Sequence, residues 1–591
     1  MNIFAAYHQK ILEYIERLQA VEQLPAELDV SRVNVEPPRD AAHGDMSTNA
    51  AMVLAKNAGM KPHDLAALLI EQLNKDPEIE TAAIAGPGFI NFVLAKTVWQ
   101  KQIHTVLEHG SSYGDSQIGH DDKGQPKAVN VEFVSANPTG PMHVGHARGA
   151  VVGDALAHLL ERAGFAVTRE YYINDAGSQV DILAQSVLLR ASEAHGDKIG
   201  EIPEGLYPGD YLIPVGQALL DEYGEGLFTE DETSQIKKAK KIALPLIMEM
   251  IKDDLAALGV RHDKFVSEQS LHDSGAVDAI VEKLDAMGLI YEGVLDPPKG
   301  KAPPPDWEAQ PQTLFKSTEF GDDSDRALKK ANGAWTYFTP DIAYHYDKFQ
   351  RGFLEQIDVW GADHAGYIKR MQSALAAVTE RQAQLDVKVC QMVKLMRAGE
   401  PVKMSKRSGS FVTLREVVDE VGKDVVRFMM LTRKNDASLD FDFVAVKEKT
   451  RENPVFYVQY AYARIHSVFR NALENTELSA SDVTREALQK ADLSSLTHQA
   501  ELRLMRQLST LPRILESAAQ FHEPHRIAIY LNELAADFHS LWNLGKEEES
   551  LKFIQADKNA TVDRLAMIRA VALAIESGLD ILGVKPEEEM R

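Results

Sequence analysis

One stretch decides the fold of this chain: VNVEFVSANPTGPMHVGH, residues 129–146. Its first six residues are mostly apolar and rich in Val, which predicts a buried strand. The segment Asn137-Pro-Thr-Gly-Pro141 then predicts a turn. Apolar residues at helical spacing over residues 151–160 predict a long helix, and residues 165–173 predict a second strand. Strand, turn, helix and strand in this order form a βαβ unit, so we expect a parallel sheet.

A second alternation of strand and helix follows much later in the chain. Ile357-Asp-Val-Trp360 predicts a strand, residues 370–378 predict a helix, and residues 387–393 predict another strand. The intervening residues, about 174–330, are predicted to be insertions of helices and turns. The sequence therefore predicts an α/β class protein, whose residues 111–452 form a split, Rossmann-like domain with a parallel sheet.

The two ends of the chain predict different architectures. Residues 1–110 predict a small α+β domain, with a helix through Ile11, Ile15 and Leu18 and a strand at Phe89-Ile-Asn-Phe-Val-Leu94. Residues 111–127 are rich in Gly, Ser and Asp and predict a linker to the next domain. Residues 453–591 have apolar stripes at helical spacing and no strand signals, which predicts an all-α bundle.

The composition limits the class of protein. The chain has 591 residues, of which 45% are hydrophobic and 26% charged, as in an ordinary soluble protein. Its 64 basic and 88 acidic residues give 64 − 88 = −24, which argues against binding to nucleic acid or membranes through bulk positive charge. Cys390 is the only cysteine, so a disulfide framework and a Cys-based zinc site are excluded, as suits a reducing cytoplasm. No apolar run approaches the roughly 18 residues needed to cross a bilayer.

Two histidines, His143 and His146, lie on the turn between the first predicted strand and its helix. They would fit a capping or core-edge role, and also a zinc site, although no third ligand lies nearby in the sequence. Their position favours phosphate binding, because doubly wound folds bind ligands at this edge and a helix start offers free N–H groups. Gly145 would let a phosphate approach the backbone closely.

A basic loop, Lys403-Met-Ser-Lys-Arg-Ser-Gly409, is the second candidate. It precedes Thr413-Leu-Arg-Glu416, which has the spacing of a helix capping box. A short basic loop is commonly just a solvated surface. Lysines on a Gly- and Ser-rich loop are also suited to reach a triphosphate and neutralise the charge of departing pyrophosphate.

Together, the two motifs resemble the HIGH and KMSK signatures of class I aminoacyl-tRNA synthetases. Several longer runs resemble the arginyl-tRNA synthetases in particular: residues 131–146, Tyr171-Tyr-Ile-Asn-Asp175, Tyr337-Phe-Thr-Pro-Asp341, Gln459-Tyr-Ala-Tyr-Ala-Arg464 and Leu582-Gly-Val-Lys-Pro-Glu587. The resemblance covers the whole chain. The second signature is degenerate in many relatives but intact here, which favours an active enzyme.

The resemblance implies an enzyme that joins arginine to ATP and then esterifies the terminal adenosine of tRNA(Arg). Its partners would be arginine, ATP and tRNA(Arg), and the enzyme would be a cytoplasmic monomer. Mg²⁺ should accompany ATP, and we expect no metal bound by the protein itself. The implied catalytic residues are His143, His146, Lys403 and Lys406. The implied ATP-binding residues are Pro138, Thr139, Gly140, Pro141, His143, Gly145, His146, Gly361, Asp363, His364, Lys403, Met404, Ser405 and Lys406. Asp363 could equally cap a helix start.

Arginine selection calls for carboxylates, because a planar guanidinium is best bound by bidentate, charge-assisted hydrogen bonds. Glu132 is notable, since an acid within an apolar strand is costly without a partner, although it could also lie at a solvated edge. By resemblance, Glu132 and Asn137 bind the amino-acid end, while Tyr337 and Asp341 line the side-chain pocket. Tyr337 alone would equally fit an ordinary core aromatic.

The resemblance assigns RNA binding to both ends of the chain. Phe89 and Asn91 match the motif in the first domain, and their spacing puts both on one face of a strand. In the helical domain, Tyr457, Tyr460 and Tyr462 could stack on unpaired bases. Tyrosines at helical spacing could equally be core residues, so the first two are the principal candidates.

Three other functions compete with this one. A class I synthetase for another amino acid, such as cysteine or glutamate, would lack carboxylates in its pocket. A non-catalytic RNA-binding paralogue would have lost a signature histidine or lysine, and none is lost. A small nucleotidyltransferase with the same histidine motif would not need the helical third domain.

Overall fold

The computed structural model describes residues 2–295, 310–402 and 412–590. By their contacts these residues form two compact units. Met1–Ile118, Lys449–Phe521 and Arg526–Arg591 form the first, here called the terminal unit. Gly119–Glu448 and His522–His525 form the second, here called the central unit.

The first part of the terminal unit is an α+β structure with a four-stranded antiparallel sheet, ordered β1-β2-β4-β3. Its elements are α1 (Ile3–Ala20), β1 (Val35–Glu36), β2 (Met46–Thr48), α2 (Ala50–Leu54), α3 (Pro62–Leu73), β3 (Ile79–Ala85), β4 (Phe89–Leu94) and α4 (Lys96–His109). The periodicity of the first helix is confirmed, because Ile11, Ile15 and Leu18 are all buried.

The central unit follows in chain order with strands and helices alternating. Its elements are β5 (Ala128–Phe133), α5 (Val144–Arg162), β6 (Ala166–Ile173), α6 (Ser178–His195), α7 (Ile213–Tyr223), α8 (Glu232–Ala257), β7 (Lys264–Ser267), α9 (Glu268–Asp273), α10 (Ala276–Ala286), β8 (Ile290–Gly293), β9 (Gln312–Phe315), β10 (Arg326–Ala327), α11 (Phe338–Gln350), β11 (Glu355–Gly361), α12 (Ile368–Val378), β12 (Gln384–Cys390), β13 (Val393–Arg397), β14 (Glu400–Pro401), α13 (Leu414–Val421), α14 (Lys423–Met430) and β15 (Leu439–Asp442).

A five-stranded parallel sheet, ordered β12-β11-β5-β6-β7, forms the centre of this unit. From β5 the chain winds outward to β6 and β7, whereas β11 and β12 lie on the other side of β5. The winding therefore reverses between β5 and β11, which is the point where doubly wound sheets bind ligands. The predicted α/β class with a parallel, Rossmann-like sheet is confirmed.

One part of the predicted insertion is wrong. Lys264–Ser267, within the segment 174–330, pairs in parallel with β6 and is the fifth strand of the main sheet. The strand is only four residues long at the sheet edge and has no continuous apolar run, so its sequence carried no clear signal. By contrast, β8, β9 and β10, which lie in the same segment, form a separate antiparallel sheet.

The second part of the terminal unit is helical, with the elements α15 (Pro454–Asn475), α16 (Arg485–Leu488), α17 (Gln499–Leu508), α18 (Leu511–Phe521), α19 (His525–Glu547) and α20 (Lys558–Ile581). Buried residues lie all round α20, as expected of a central helix. It packs against both α15 and α4, so this part shares a core with the first part.

Polar contacts also join the two parts of the terminal unit. The carboxylate of Glu516 accepts hydrogen bonds from Asn2 at 2.7 Å and from Ser116 at 2.8 Å. Arg506 forms an ion pair with Asp45 at 2.6 Å. Segments some 400 residues apart in the chain therefore fold as one body. No helix among the described residues is long and apolar enough to cross a membrane.

Candidate active site

A cavity of about 760 Å³ opens at the carboxyl ends of β5 and β11. Nine of the eighteen residues predicted from the sequence for ATP and arginine binding line it together: Glu132, Asn137, His143, Gly145, His146, Asp341, Gly361, Asp363 and His364. They come from four separate segments of the chain, and the parallel sheet brings them to one edge.

His143 and His146 form the start of α5. His143 is its N-cap residue, and its Nδ1 accepts a hydrogen bond from the Gly145 N–H at 3.1 Å. Nδ1 of His146 accepts one from the His143 N–H at 3.4 Å. These bonds require unprotonated Nδ1 atoms, so each neutral ring carries its proton on Nε2. The rings stack with centroids 3.7 Å apart, and their Nε2–H groups are donors suited to phosphate oxygens. A Cβ at Gly145 would lie 2.7 Å from the His143 ring.

The segment that follows the second signature in the chain lies beside the first signature at Thr413. His143 and Thr413 form an antiparallel bridge, and the Leu414 N–H donates to the Met142 carbonyl at 2.8 Å. Thr413 caps α13 in a capping box with Glu416, which confirms the helix start predicted from the spacing. Backbone pairing thus holds the start of α13 beside the start of α5.

The residues before the second signature, Glu400–Pro401, form β14 in the small sheet of β13, β14 and β15. There the Val402 N–H donates to the Leu395 carbonyl at 2.9 Å. The residues of the loop, Lys403, Met404, Ser405 and Lys406, lie outside the described residues, so their predicted contacts stay predictions.

The turn before α5 borders a second, adjoining cavity of about 490 Å³. Thr139, Gly140 and Pro141 line it, and the Tyr211 hydroxyl donates to the Thr139 carbonyl at 2.7 Å. A Cβ at Gly140 would lie 2.8 Å from the Tyr211 ring, so glycine is needed there. Pro138 is buried and lines neither cavity, because the turn directs it inward. The prediction that Pro138 contacts ATP is therefore not supported.

Gly361, Asp363 and His364 line the cavity on the side of β11. All three are exposed, and His364 Nε2 lies 3.4 Å from Asp363 Oδ2. The alternative that Asp363 caps a helix is wrong, because Gly361 is the N-cap residue of the following 3-10 turn and no side-chain cap bond forms.

An acidic pocket lies where α11 begins. Asp341, in the first turn of α11, accepts a hydrogen bond from the Tyr367 hydroxyl at 2.8 Å. Burial raises the pKa of Asp341 to about 6, with the charges of Glu132 and Asp358 adding to the shift. Burial also raises the pKa of Glu268 to about 7, and Asp341 is its strongest charged neighbour. Such a pocket favours a cation, because a positive charge stabilises the ionised carboxylates.

Sequence reasoning missed Glu268 and Tyr367. Glu268 directly follows β7, the strand that went unrecognised, so its position beside Asp341 had no signal. Tyr367 comes three residues after His364 and closes the 3-10 turn that follows β11. The Tyr367 hydroxyl reaches Asp341 only because α11 crosses this edge of the sheet.

The other two predicted arginine-binding residues, Asn137 and Tyr337, differ in position. Asn137 lines the cavity, and its amide donates to Gln179 Oε1 at 2.9 Å. Tyr337 is 65% exposed and does not line the cavity, because it lies just before α11 and outside its inward face. The structure therefore does not bring Tyr337 into the side-chain pocket.

Glu132 is nearly buried, and both of its carboxylate oxygens have partners. Oε2 accepts from the Lys348 ammonium at 2.6 Å, and Oε1 accepts from the Ser135 hydroxyl at 2.9 Å. The alternative of a solvated edge residue is wrong, since β5 lies between β6 and β11. Glu132 has the partner that a buried acid requires.

Three residues in this region have the spacing of metal ligands. Ligand atoms of Glu132, His345 and Asp358 lie within 4.8 Å of one another. The Lys348 ammonium contacts both carboxylates, at 2.6 Å for Glu132 and 3.1 Å for Asp358. A cation is already among the acids, so these contacts describe an ion-pair cluster.

The candidate RNA-binding residues of the first domain lie on an exposed face. Along β4, Ile90, Phe92 and Leu94 are buried, while Phe89 is 38% exposed and Asn91 is partly exposed. Phe89 is therefore not a core residue, and its ring is available for stacking.

The tyrosines of α15 divide between surface and core. Tyr460 is 37% exposed, and the Arg464 guanidinium lies over its ring at 4.2 Å and over the Trp542 ring at 4.7 Å. Tyr457 is half-buried, and its ring lies 4.5 Å from that of His539. Tyr462 is only 4% exposed, so its candidacy as a stacking residue is wrong.

Comparison with known proteins identifies first the class and then the family. The family model described as "tRNA synthetases class I (R), catalytic domain" matches residues 102–202. This range contains the signature histidines His143 and His146. The model of the arginyl tRNA synthetase N terminal domain matches residues 6–94, and that of the DALR anticodon binding domain matches residues 458–590. The fold and site are therefore those of a class I aminoacyl-tRNA synthetase, a class that uses ATP with a divalent metal.

Full-length relatives give the family. The chain is 58% identical to the arginine–tRNA ligase of Parvibaculum lavamentivorans and 57% identical to that of Ruegeria pomeroyi, each over 100% of both chains. The solved arginyl-tRNA synthetase of Thermus thermophilus shares the fold, with a TM-score of 0.72 and 20% identity over 99% of this chain and 100% of that one. The chain belongs to the arginyl-tRNA synthetase family.

The acidic pocket makes a prediction about pH. Asp341 and Glu268 are ionised only above their raised pKa values, about 6 and about 7. As the pH falls through this window the pocket loses negative charge, so the KM for arginine should rise, by up to about tenfold per pH unit for each group. Steady-state assays across this window should show the rise in the parent and a smaller one in Asp341→Asn. A KM for arginine that stays constant as the pH falls would contradict this.

Proposed function

We propose that this chain ligates L-arginine to tRNA(Arg) in two steps, for use in translation. ATP and arginine first form arginyl-adenylate and pyrophosphate, and the arginyl group is then transferred to the 3′-terminal adenosine of the tRNA. One observation carries the proposal: the same cavity has imidazole donors at His143 and His146 and, at Asp341, a carboxylate that forms no salt bridge among the described residues. Membership of the family supports it.

In the first step, a carboxylate oxygen of arginine attacks the α-phosphorus of ATP, and pyrophosphate leaves as the bridging bond breaks. No nucleophilic side chain is needed, so the protein acts by positioning and by stabilising charge. His143 and His146 donate hydrogen bonds from Nε2 to phosphate oxygens, aided by backbone N–H groups at the start of α5. Lys403 and Lys406, with Met404 and Ser405 between them, hold the pyrophosphate side.

The rest of the nucleotide is assigned to two groups of residues. Thr139, Gly140, Pro141 and Gly145 form the wall beside the phosphates, where the glycines leave the backbone accessible. Gly361, Asp363 and His364 lie near the adenosine, at the end of β11.

Mg²⁺, when bound, neutralises charge on the triphosphate. We assign it mainly to phosphate and water ligands, as is usual for Mg²⁺ with nucleotides. The exposed carboxylate of Asp363 at the cavity mouth is compatible with that arrangement. We assign no structural metal, because Lys348 already contacts the acids of the metal-like cluster.

Arginine selection is assigned to Asp341, with Tyr367 fixing the orientation of its carboxylate. A carboxylate can accept two parallel hydrogen bonds from a guanidinium, which no other standard amino-acid side chain can donate. Asn137 and Glu132, at the end of β5, bind the amino-acid end of the substrate. Glu132 keeps unused lone pairs on its oxygens despite its contacts with Lys348 and Ser135.

For tRNA binding, we assign Phe89 and Asn91 to the body of the tRNA and Tyr457 and Tyr460 to the anticodon. Aromatic side chains stack on unpaired bases, and Arg464 adds positive charge beside Tyr460. Correspondingly, residues 1–110 form the tRNA-binding domain, residues 111–452 the catalytic domain and residues 453–591 the anticodon-binding domain.

We propose that the enzyme acts as a cytoplasmic monomer. Cys390 is buried and unpaired, as suits a reducing compartment, and burial raises the pKa of its thiol to about 12. None of the steps above needs a second copy of the chain. Light scattering of the full chain, with and without tRNA, tests the stoichiometry.

The overall activity is tested by ATP–pyrophosphate exchange with each of the twenty amino acids, with and without tRNA(Arg). We expect exchange with arginine alone, and only when the tRNA is present, since both ends of the chain bind RNA. Exchange with a different amino acid would overturn the assignment of arginine. Robust exchange with arginine in tRNA-free enzyme would refute the tRNA requirement only.

The histidine signature is tested by His146→Ala. Loss of one preorganised donor to the phosphates should slow adenylate formation by about 10²–10³ without unfolding the protein. His158→Ala is the matched control, because His158 lies on the same helix and lines neither cavity. Single-turnover kinetics and thermal melts compare the two; parent-like turnover in His146→Ala would disprove the role. Lys406→Ala should match His146→Ala.

Arginine selection is tested by Asp341→Asn. A site built around buried polar groups can reject near-analogues by roughly 10⁴–10⁵, so the parent should charge neither lysine nor citrulline appreciably and need no editing domain. In Asp341→Asn the kcat/KM for arginine should collapse. Asp347→Asn is the control, since Asp347 lies on the same helix but pairs with Arg351. Efficient use of citrulline by the parent would contradict the pocket.

The RNA face of β4 is tested by comparing Phe89→Ala with Phe92→Ala. Phe89 is exposed, so its loss should leave the Tm nearly unchanged and weaken tRNA binding by about 1–3 kcal/mol, the worth of one stacked base. Phe92 lies on the buried face of the same strand, and Phe92→Ala should cost about 3–5 kcal/mol of stability. If Phe89→Ala lowered the Tm and left the tRNA KM unchanged, Phe89 would be only structural.

A further inference from the structure

A tyrosine from the helical segment between β6 and β7 reaches the turn that precedes the histidine signature. Tyr211 lies in a 3-10 turn, Asp210–Leu212, just before α7, and it lines the smaller cavity. Its hydroxyl donates to the Thr139 carbonyl at 2.7 Å. Burial raises the pKa of Tyr211, so the hydroxyl stays protonated and can act as a donor. None of the reaction steps described above uses Tyr211.

The loop that carries Tyr211 is itself held by α6. The Tyr207 N–H donates to the Ser186 hydroxyl at 2.9 Å, and the Arg190 guanidinium donates to the Pro208 carbonyl at 3.0 Å. Both of these α6 side chains are buried. The backbone that leads into Tyr211 is therefore anchored to a neighbouring helix of the same unit.

The Tyr211 ring packs against two glycines. A Cβ at Gly209 would lie 2.2 Å from the ring, and a Cβ at Gly140 would lie 2.8 Å from it. Neither distance leaves room for a side chain. Because both positions are glycine, the ring approaches the backbone of the turn closely enough for its hydroxyl to reach Thr139.

This hydrogen bond sets the orientation of the peptide group between Thr139 and Gly140. No peptide bond among the described residues is cis. In a trans peptide the carbonyl and the N–H point in opposite directions. Since the Thr139 carbonyl points toward Tyr211, the Gly140 N–H points away from it.

The Gly140 N–H is available to a ligand. Of residues 138–142, the first and fourth are prolines, which have no N–H group. The N–H groups of Thr139 and Met142 donate to protein oxygens at 2.8 Å and 3.0 Å. Within the described part of the chain, the Gly140 N–H has no hydrogen-bond partner.

A peptide group that precedes glycine is easily reversed. Reversal rotates the φ of the following residue by about 180°, into the left-handed region that glycine adopts freely and other residues do not. Gly140 does not have a positive φ in this structure, so its peptide is not in the reversed state. Reversal would exchange the directions of the Gly140 N–H and the Thr139 carbonyl, and a carbonyl oxygen repels a phosphate.

We propose that Tyr211 is a positioning residue for ATP. Its hydroxyl holds the Thr139 carbonyl, which keeps the Gly140 N–H turned toward the phosphates and excludes the reversed peptide. This inference rests on the proposed function, because it takes the triphosphate to bind beside this turn. It gives the segment between β6 and β7 a part in nucleotide binding.

The first test removes the hydroxyl alone, with Tyr211→Phe in the full-length enzyme. The ring and its packing remain, so the Tm should be nearly unchanged. Loss of one neutral hydrogen bond should raise the KM for ATP by about three- to tenfold, while the KM for arginine stays within about twofold. Aminoacylation of tRNA(Arg) gives both constants. A parent-like KM for ATP, or an equal rise in both constants, would overturn the inference.

The second test addresses the orientation of the peptide group. Tyr211→Ala removes the ring as well and should raise the KM for ATP further. Gly140→Ala in the parent should also raise it, because the new Cβ meets the Tyr211 ring. Combined with Tyr211→Ala, the same Cβ has room, and it disfavours the reversed peptide, which needs a positive φ.

The double variant should therefore have a lower KM for ATP than Tyr211→Ala alone. If Tyr211 served only to fill space beside the turn, adding Gly140→Ala would leave that constant unchanged or raise it. Such a result would overturn the inference. If Tyr211→Ala does not fold, the comparison of Tyr211→Phe with the parent decides.

Tyr223→Phe is the matched control. Tyr223 ends α7, in the same segment of the chain, and lines neither cavity. Its loss of a hydroxyl should leave the KM for ATP close to that of the parent. A rise as large as that of Tyr211→Phe would mean that the effect is not specific to the bond with Thr139, and the inference would fail.

His146→Ala, measured in parallel, separates this inference from the proposed function. If His146→Ala forms adenylate at the parent rate, the proposed ATP site is wrong and the inference falls with it. If His146→Ala is slow but Tyr211→Phe keeps the parent KM for ATP, only the role of Tyr211 is wrong.

Discussion

The pairing of β5 with β11 is the interaction on which the central unit depends. It joins the two halves of a split domain, and the reversal of winding between these strands opens the cavity at their carboxyl ends. The same pairing sets Glu132 beside Asp358 in the sheet interior. Their repulsion is relieved by Lys348, which anchors α11 across both strands. Fold, helix placement and site geometry are therefore consequences of one register.

The cavity has two chemically opposite regions. The start of α5, with His143 and His146, offers hydrogen-bond donors, whereas Asp341, with Glu268 as a charged neighbour, favours a cation. Phosphate oxygens suit the first region and a guanidinium suits the second, so the two substrates of the proposed reaction would each be held in one orientation. Orientation of this kind lowers the entropic cost of reaction, which is the main contribution a protein can make to adenylate formation. The net charge of −24 does not prevent this, because the relevant charges are local.

The terminal unit shows that contact in space does not follow sequence order. Its first and last segments share the core around α20, and Glu516 accepts hydrogen bonds from Asn2 and Ser116. Both segments are assigned to RNA binding, so a single folded body would carry the two recognition surfaces. Local patterns cannot reveal such an arrangement, since each segment looks complete by itself.

The sequence by itself determined the elements and residues whose signals are local. The long helix after His143, the capping box at Thr413, the outward face of Phe89 and the acid within β5 all follow from periodicity, capping and polarity. Only the tertiary structure decided which distant residues meet. β7 is too short to stand out, so Glu268 was not recognised; Tyr337 precedes α11 and lies outside the cavity; Lys348 looks like an ordinary helix-surface lysine until α11 is laid on the sheet. The physical reason is that burial and ion pairing depend on neighbours from other segments, whose positions the register of β5 and β11 sets.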